Sequence, residues 1–159
     1  MPKFLRHLAL IGILGLLSAC AAGGDQEQLS FAAKPKIPLH VNETPELRKL
    51  INKYADGYGV PRPLVHRVII RESHHRPWAR NGPYYGLMQI LPATARGMGY
   101  EGPAEGLLDA ETNLKYAVKY LRGAWLVSDG NHDDAVKWYA RGYYYEAKRQ
   151  GMLEETGLR

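Results

Sequence analysis

Apolar residues recur at helical spacing along most of the chain, and alternate in strand fashion for no more than a few positions. Leu47, Leu50, Ile51 and Tyr54 form one face behind Thr44, a good helix N-cap, and Pro45, which suits a first helical position; Gly57 and Gly59 stop that helix. Val60-Pro61-Arg62-Pro63 opens a second helix, on which Val65, Val68 and Ile69 share a face with Glu72. His74 to Tyr85 contains Pro77, Gly82 and Pro83 and predicts no regular element. A short helix is expected over Pro92 to Met98, then a Gly/Pro loop from Gly99 to Gly106. Asp109 caps the longest helix, reaching about Ser128, with Leu114, Ala117, Val118, Leu121 and Trp125 as its core stripe. Asp129-Gly130-Asn131 ends it. Asp133 or Asp134 starts the next helix, through Ala135, Val136, Trp138 and Tyr139, and a last one spans Tyr143 to Arg149. The fold class is mostly α, with one domain over residues 44–150 and a tail over 151–159.

Before Thr44 the pattern changes character. Lys3, Arg6 and His7 precede an apolar run from Leu8 to Leu17, which is of signal-peptide length and short for a membrane span. Leu17-Ser18-Ala19-Cys20 resembles the bacterial lipobox, so residues 1–19 are expected to be a signal peptide and Cys20 the lipidated N-terminus. Acyl chains on Cys20 would supply the membrane contact. Ala21, rather than Asp, follows the Cys, which in bacterial lipoproteins goes with the outer membrane of a Gram-negative cell; the expected location is periplasmic and lipid-anchored. Cys20 is the single cysteine, which excludes an internal disulfide. Residues 20–43, small and polar and then broken by Pro35 and Pro38, read as a tether reaching on the order of 25 Å.

Hydrophobic residues at 45% and charged residues at 23% place the rest among ordinary globular proteins. The formal charge is +5. Removing Lys3 and Arg6 leaves about +3, weakly suited to an anionic polymer or membrane surface. With that charge and an export signal, nucleic-acid binding is not expected. His74 and His75 are adjacent rather than spaced to face one ion, and H-E-x-x-H is missing, so no metal site is expected. No cofactor motif is present.

Glu72 is the position with chemistry. It ends an apolar stripe at the last turn of a helix, where burial and the carbonyl end of the helix both disfavour ionisation. A glutamate that keeps its proton near neutral pH can act as a general acid on a glycosidic oxygen. The structural alternative is an ion pair with Arg71, Arg76 or Arg80.

Glu72-Ser73, Pro77, then Gly86-Leu87-Met88-Gln89-Ile90 followed by Pro92 and Thr94, resemble the soluble-lytic-transglycosylase (SLT) domain, whose pattern is E-S-x-x-N-P and then G-L-M-Q-I-x-P-x-T. Asn113 and Tyr120-Leu121 resemble its N-x-x-x-G-x-x-Y-L segment, with Ala117 for Gly, and Tyr139 stands where the family has the Tyr of Y-N-x-G, with Ala140 for Asn. The resemblance covers roughly residues 44–150. It implies a lysozyme-like fold acting on peptidoglycan glycan strands. A single Glu would protonate the bond between N-acetylmuramic acid and N-acetylglucosamine and then serve as base, while the sugar's own 6-hydroxyl closes a 1,6-anhydro ring. It implies catalytic roles for Glu72, Ser73 and Tyr139. Gly86, Leu87, Met88, Gln89, Ile90 and Tyr85 would bind substrate, and Trp78, Tyr84, Tyr143 and Tyr144 are further stacking candidates. Arg76 stands for the family's Asn before Pro and Pro83-Tyr84-Tyr85 for its small residues, which alters the groove wall. Two other outcomes stay open: a peptidoglycan-binding lipoprotein with little or no activity, and a lysozyme-type hydrolase. Protein partners are unknown.

Overall fold

The Thr44-Pro45 signal is realised as written. Thr44 Oγ1 accepts from the Leu47 N–H at 3.1 Å, and Gly59, at φ 65°, closes helix α1, Pro45–Tyr58. The computed structural model describes residues 37–159; the expected signal peptide, Cys20 and most of the tether lie outside the described residues. After α1 come α2, Arg62–Glu72; a hairpin of β1, Arg80–Asn81, and β2, Tyr84–Tyr85; α3, Pro92–Gly97; α4, Ala110–Val127; α5, His132–Arg141; and α6, Tyr144–Gln150.

Helix α4 is the hub, packed against α1, α3, α5 and α6. Its expected stripe is core: Leu114, Ala117, Val118 and Leu121 are fully buried, while Trp125 is only partly covered. Asp109 caps it by accepting from the Thr112 N–H at 2.8 Å. The stripe of α2 is buried too, with Leu64, Val65, Val68 and Ile69 all at 0% exposure. Gly123 on α4 has a packing reason, because the Tyr143 ring occupies the space a Cβ would need. From there the Tyr143 hydroxyl donates to the Tyr120 carbonyl at 2.9 Å.

The segment His74–Tyr85, expected to be irregular, contains the β1–β2 hairpin. Asn81 pairs with Tyr84 across Gly82-Pro83, and Gly82 at φ 56° supplies the positive angle that a two-residue hairpin loop requires at its first position. Inside the expected Gly/Pro loop, Ala104–Leu108 winds into a 3-10 turn that buries Leu107. Helix α5 is capped by Asn131, not by Asp133 or Asp134. Its Oδ1 accepts from both of their N–H groups, at 2.9 and 3.1 Å, and they then serve as first-turn acids.

The domain is longer than 44–150 at both ends. The last residues of the expected tether belong to it: the Arg48 side chain donates to the Pro38 carbonyl at 2.9 Å and pairs with the buried carboxylate of Glu43. Beyond Gln150, Leu153 and Thr156 are buried, and Arg122 donates to the Glu155 carbonyl at 2.7 Å. These contacts lie outside any helical period, so hydrophobic spacing did not announce them.

Candidate active site

Glu72 is the last residue of α2, one step past its buried stripe, and its side chain is 23% exposed. It opens into a groove of about 580 Å³, whose walls also include Asn81 and Tyr84 of the hairpin, Gln89, Ile90 and Thr94 from the segment leading into α3, Tyr120 of α4, and Tyr139 and Arg141 of α5. Glu72 is the single carboxylate among the described lining residues.

Burial pushes the Glu72 carboxyl above its ordinary range, and the Arg71 guanidinium opposes the shift only in part. Arg71 Nε lies 3.5 Å from Glu72 Oε1, too long for a strong charge-assisted bond. The other two arginines are engaged elsewhere. Arg76 Nε donates to the Ser73 carbonyl at 2.8 Å, and the Arg80 guanidinium lies over the Tyr85 ring at 4.7 Å. Among the described residues no donor hydrogen-bonds to the Glu72 carboxylate, so desolvation governs its proton.

Ser73 is fully buried and does not line the groove. Its hydroxyl accepts from the Arg76 N–H at 3.3 Å and faces the Ile69 carbonyl at 3.4 Å, so in this structure it finishes the helix end. Arg76, standing where the resembled pattern has Asn, adds its guanidinium to the same task.

The Gly86–Ile90 segment divides. Leu87 and Met88 are fully buried and Tyr85 is nearly so; these three belong to the core rather than the groove. Gln89 and Ile90 face the groove. Gln89, at φ 47°, spends both amide hydrogens on carbonyls, of Ala79 at 3.0 Å and Gly86 at 2.9 Å, which leaves Oε1 as its acceptor. The segment is pinned by Asn113 from α4. Asn113 Oδ1 accepts from the Met88 N–H at 3.0 Å, and its Nδ2 donates to the carbonyls of Tyr85 at 2.9 Å and Leu107 at 2.8 Å.

Gly86, at φ 75°, sits so close to Asn113 and the Leu107 carbonyl that a Cβ would collide with both. Gly86→Ala therefore meets a left-handed backbone and overpacking together. Thermal or urea unfolding is expected to show a loss of about 3 kcal/mol. A variant as stable as the parent would mean the segment is not held as described.

Tyr139 is buried, and its hydroxyl donates to the Met88 carbonyl at 2.8 Å. Burial raises its pKa well above the ordinary tyrosine range, and the Glu72 charge adds to the shift, which places the two groups in one electrostatic environment. Tyr120 stands edge-on to it, ring centroids 5.5 Å apart. Of the aromatic stacking candidates, Tyr84 alone lies on the groove; Tyr143 is buried in the core, and Trp78 and Tyr144 are exposed away from it. Spacing gave no sign of Arg71, Asn81, Tyr120 or Arg141 as lining residues. Only the packing of α4 and α5 brings Tyr120 and Arg141 to Glu72.

A helical domain with one desolvated glutamate over a polar, tyrosine-lined groove offers the setting in which a carboxylic acid keeps its proton and can act as a general acid. Residues 49–152 match the transglycosylase SLT domain, and the chain belongs to that family. It is 37% identical over 121 residues to the membrane-bound lytic murein transglycosylase F of Desulfosudis oleivorans, covering 72% of this chain and 26% of that protein. It is 29% identical over 110 residues to the membrane-bound lytic murein transglycosylase C of Haemophilus influenzae, covering 64% of this chain and 30% of that protein. The chain thus spans less than a third of the length of these relatives. No solved structure matches it with comparable significance.

Proposed function

We propose that this chain is a lytic transglycosylase that cleaves peptidoglycan glycan strands between N-acetylmuramic acid and N-acetylglucosamine. The carrying observation is the solitary, desolvated Glu72 in the groove. An enzyme that uses water as nucleophile or forms a covalent intermediate ordinarily needs a second carboxylate across the bond. An internal nucleophile does not, because the sugar's own 6-hydroxyl is present at high effective concentration. Glu72 gives its proton to the departing glycosidic oxygen. As a carboxylate it then takes the proton of the 6-hydroxyl as that oxygen bonds to the anomeric carbon, so the glutamic acid is restored and no water is consumed.

Tyr139 and Gln89 assist by position. With its hydrogen committed to Met88, the Tyr139 oxygen is available as an acceptor for the protonated Glu72. Gln89 Oε1 is suited to accept from a sugar hydroxyl or acetamide N–H. Ser73 acts at one remove, by fixing the end of α2 from which Glu72 projects. The relatives' names describe membrane-bound proteins. Here residues 1–19 would serve as signal peptide and Cys20 as lipid anchor, holding the domain on the outer membrane in the periplasm. Among the described residues no helix is long and apolar enough to cross a membrane.

Mass analysis of the products released from purified peptidoglycan tests the reading. Muropeptides with anhydro ends, one water lighter than reducing ends, are expected. Reducing ends would make the protein a hydrolase, and no products from a folded sample would leave a peptidoglycan-binding lipoprotein.

A further inference from the structure

Outside the groove, three imidazoles and a carboxylate converge. His40 and Glu43 come from the segment before α1, His66 from the middle of α2, and His75 from the loop after Glu72. One ligating atom from each lies within 4.8 Å of the others. His66 Nδ1 and His75 Nε2 are 3.2 Å apart, and Glu43 Oε1 is 3.8 Å from His66 Nδ1. His40 stacks on His75 at a centroid distance of 4.9 Å. None of the four lines the groove.

Ordinary burial accounts poorly for this grouping. His75 is fully buried, its Nδ1 has no hydrogen-bond partner, and its Nε2 meets only another imidazole nitrogen. His74 and His75 both hold positive φ, 52° and 60°, which side chains other than glycine rarely adopt. The turn that presents His40 and Glu43 is fastened to this loop by Asn42 Nδ2, which donates to the His74 carbonyl at 2.9 Å. Such strain, and a buried Nε2 faced by nothing but another imidazole nitrogen, are retained where a further interaction compensates for them.

We propose that His40, Glu43, His66 and His75 form a structural site for a zinc-like divalent cation. At zinc–nitrogen lengths of about 2.0–2.1 Å, two imidazoles on a tetrahedral ion have nitrogens about 3.3 Å apart, close to the separation found here. The donor set, borderline nitrogen with one carboxylate, is one that zinc selects over magnesium or calcium. Arg48, bonded to both Glu43 oxygens, orients the carboxylate from behind. His40 is exposed and free to close the coordination shell. The ion would cross-link the chain's entry into the domain to the middle of α2 and the loop beyond its end. It would brace the helix that carries Glu72 without entering the groove, and the proposal is independent of the reading of that groove.

The test uses the full chain, stripped with a chelator and titrated with Co2+, then Zn2+. One Co2+ per chain with the intense visible bands of tetrahedral cobalt is expected, displaced by one equivalent of Zn2+, and Zn2+ is expected to raise the melting temperature. His66→Ala and His40→Ala, the latter at an exposed position, are each expected to weaken binding at least tenfold. Weak octahedral bands, no thermal shift with Zn2+, or binding undiminished in His40→Ala and His66→Ala would each overturn the site. In the last case the ion would be bound elsewhere.

Discussion

Replacing Glu72 by Gln is expected to lower the rate of peptidoglycan cleavage by about a thousandfold or more, since a positioned general acid contributes roughly 10²–10⁴ and here the same group must also serve as base. The substitution keeps shape and removes only the titrating proton. Burial holds the Glu72 proton at pH values where a free carboxyl has lost it, and the groups facing it are Arg71 on α2, Tyr120 on α4, and Tyr139 and Arg141 on α5. Activity that depends on the acid form therefore falls as pH rises through this raised value. The sign for stability is the same. The folded state keeps the proton longer than the unfolded chain, so stability declines as pH climbs from the ordinary glutamate range to the folded pKa and is then constant. Glu72→Gln escapes that decline and should melt no lower than the parent at neutral pH. Rate assays across pH with parallel melting curves check both. Activity surviving in the variant would remove Glu72 from the mechanism, and a collapsed melting temperature would make it structural.

Asn113→Ala carries the largest expected loss of stability. It strands two buried backbone groups, the Met88 N–H and the Leu107 carbonyl, each costing about 1–3 kcal/mol when left unpaired, and leaves the Tyr85 carbonyl with the Ile90 N–H alone. Allowing for relaxation, the total is about 4 kcal/mol, a drop of roughly 15 °C in melting temperature for a domain of this size. Asn113→Asp sharpens the measurement. It matches the side chain in shape and still accepts from Met88, but turns a carboxylate oxygen toward two carbonyls, so it should melt nearly as early as Ala. An Asp variant as stable as the parent would show that the amide hydrogens do not hold the segment. Since Gln89 and Ile90 belong to that segment, cleavage activity should fall along with stability.

Much of this was legible in residue order, for reasons that can be named. Thr44-Pro45 and Asp109 are local signals whose partners lie within one turn, and both are met. Glu72 stood out because helical spacing fixes which face a residue shares, and that face is the buried one. The Gly86–Ile90 segment was recognisable as a unit but not in its parts. Which of its side chains face the groove depends on Asn113, twenty-five residues away from Met88. Hence Leu87, Met88 and Tyr85, expected against the sugar, turned inward. Ser73 was similarly expected at the substrate, yet its hydroxyl is held by its own helix end. The early start of the domain escaped notice because a buried Glu43–Arg48 pair resembles, in sequence, two ordinary surface charges.

The long reach of one hydrogen bond has a consequence for how the acid comes to be an acid. Glu72 and the Gly86–Ile90 wall are close neighbours along the chain, but Tyr139 joins Met88 across fifty-one residues. A chain in which α5 has detached keeps Glu72 in its helix and loses the far wall that shields it from water. Its carboxyl then relaxes toward the affinity for protons of any exposed glutamate. Acid strength in this domain is a property of the assembled tertiary structure, so every partial unfolding that frees α5 would also switch off the chemistry proposed for Glu72.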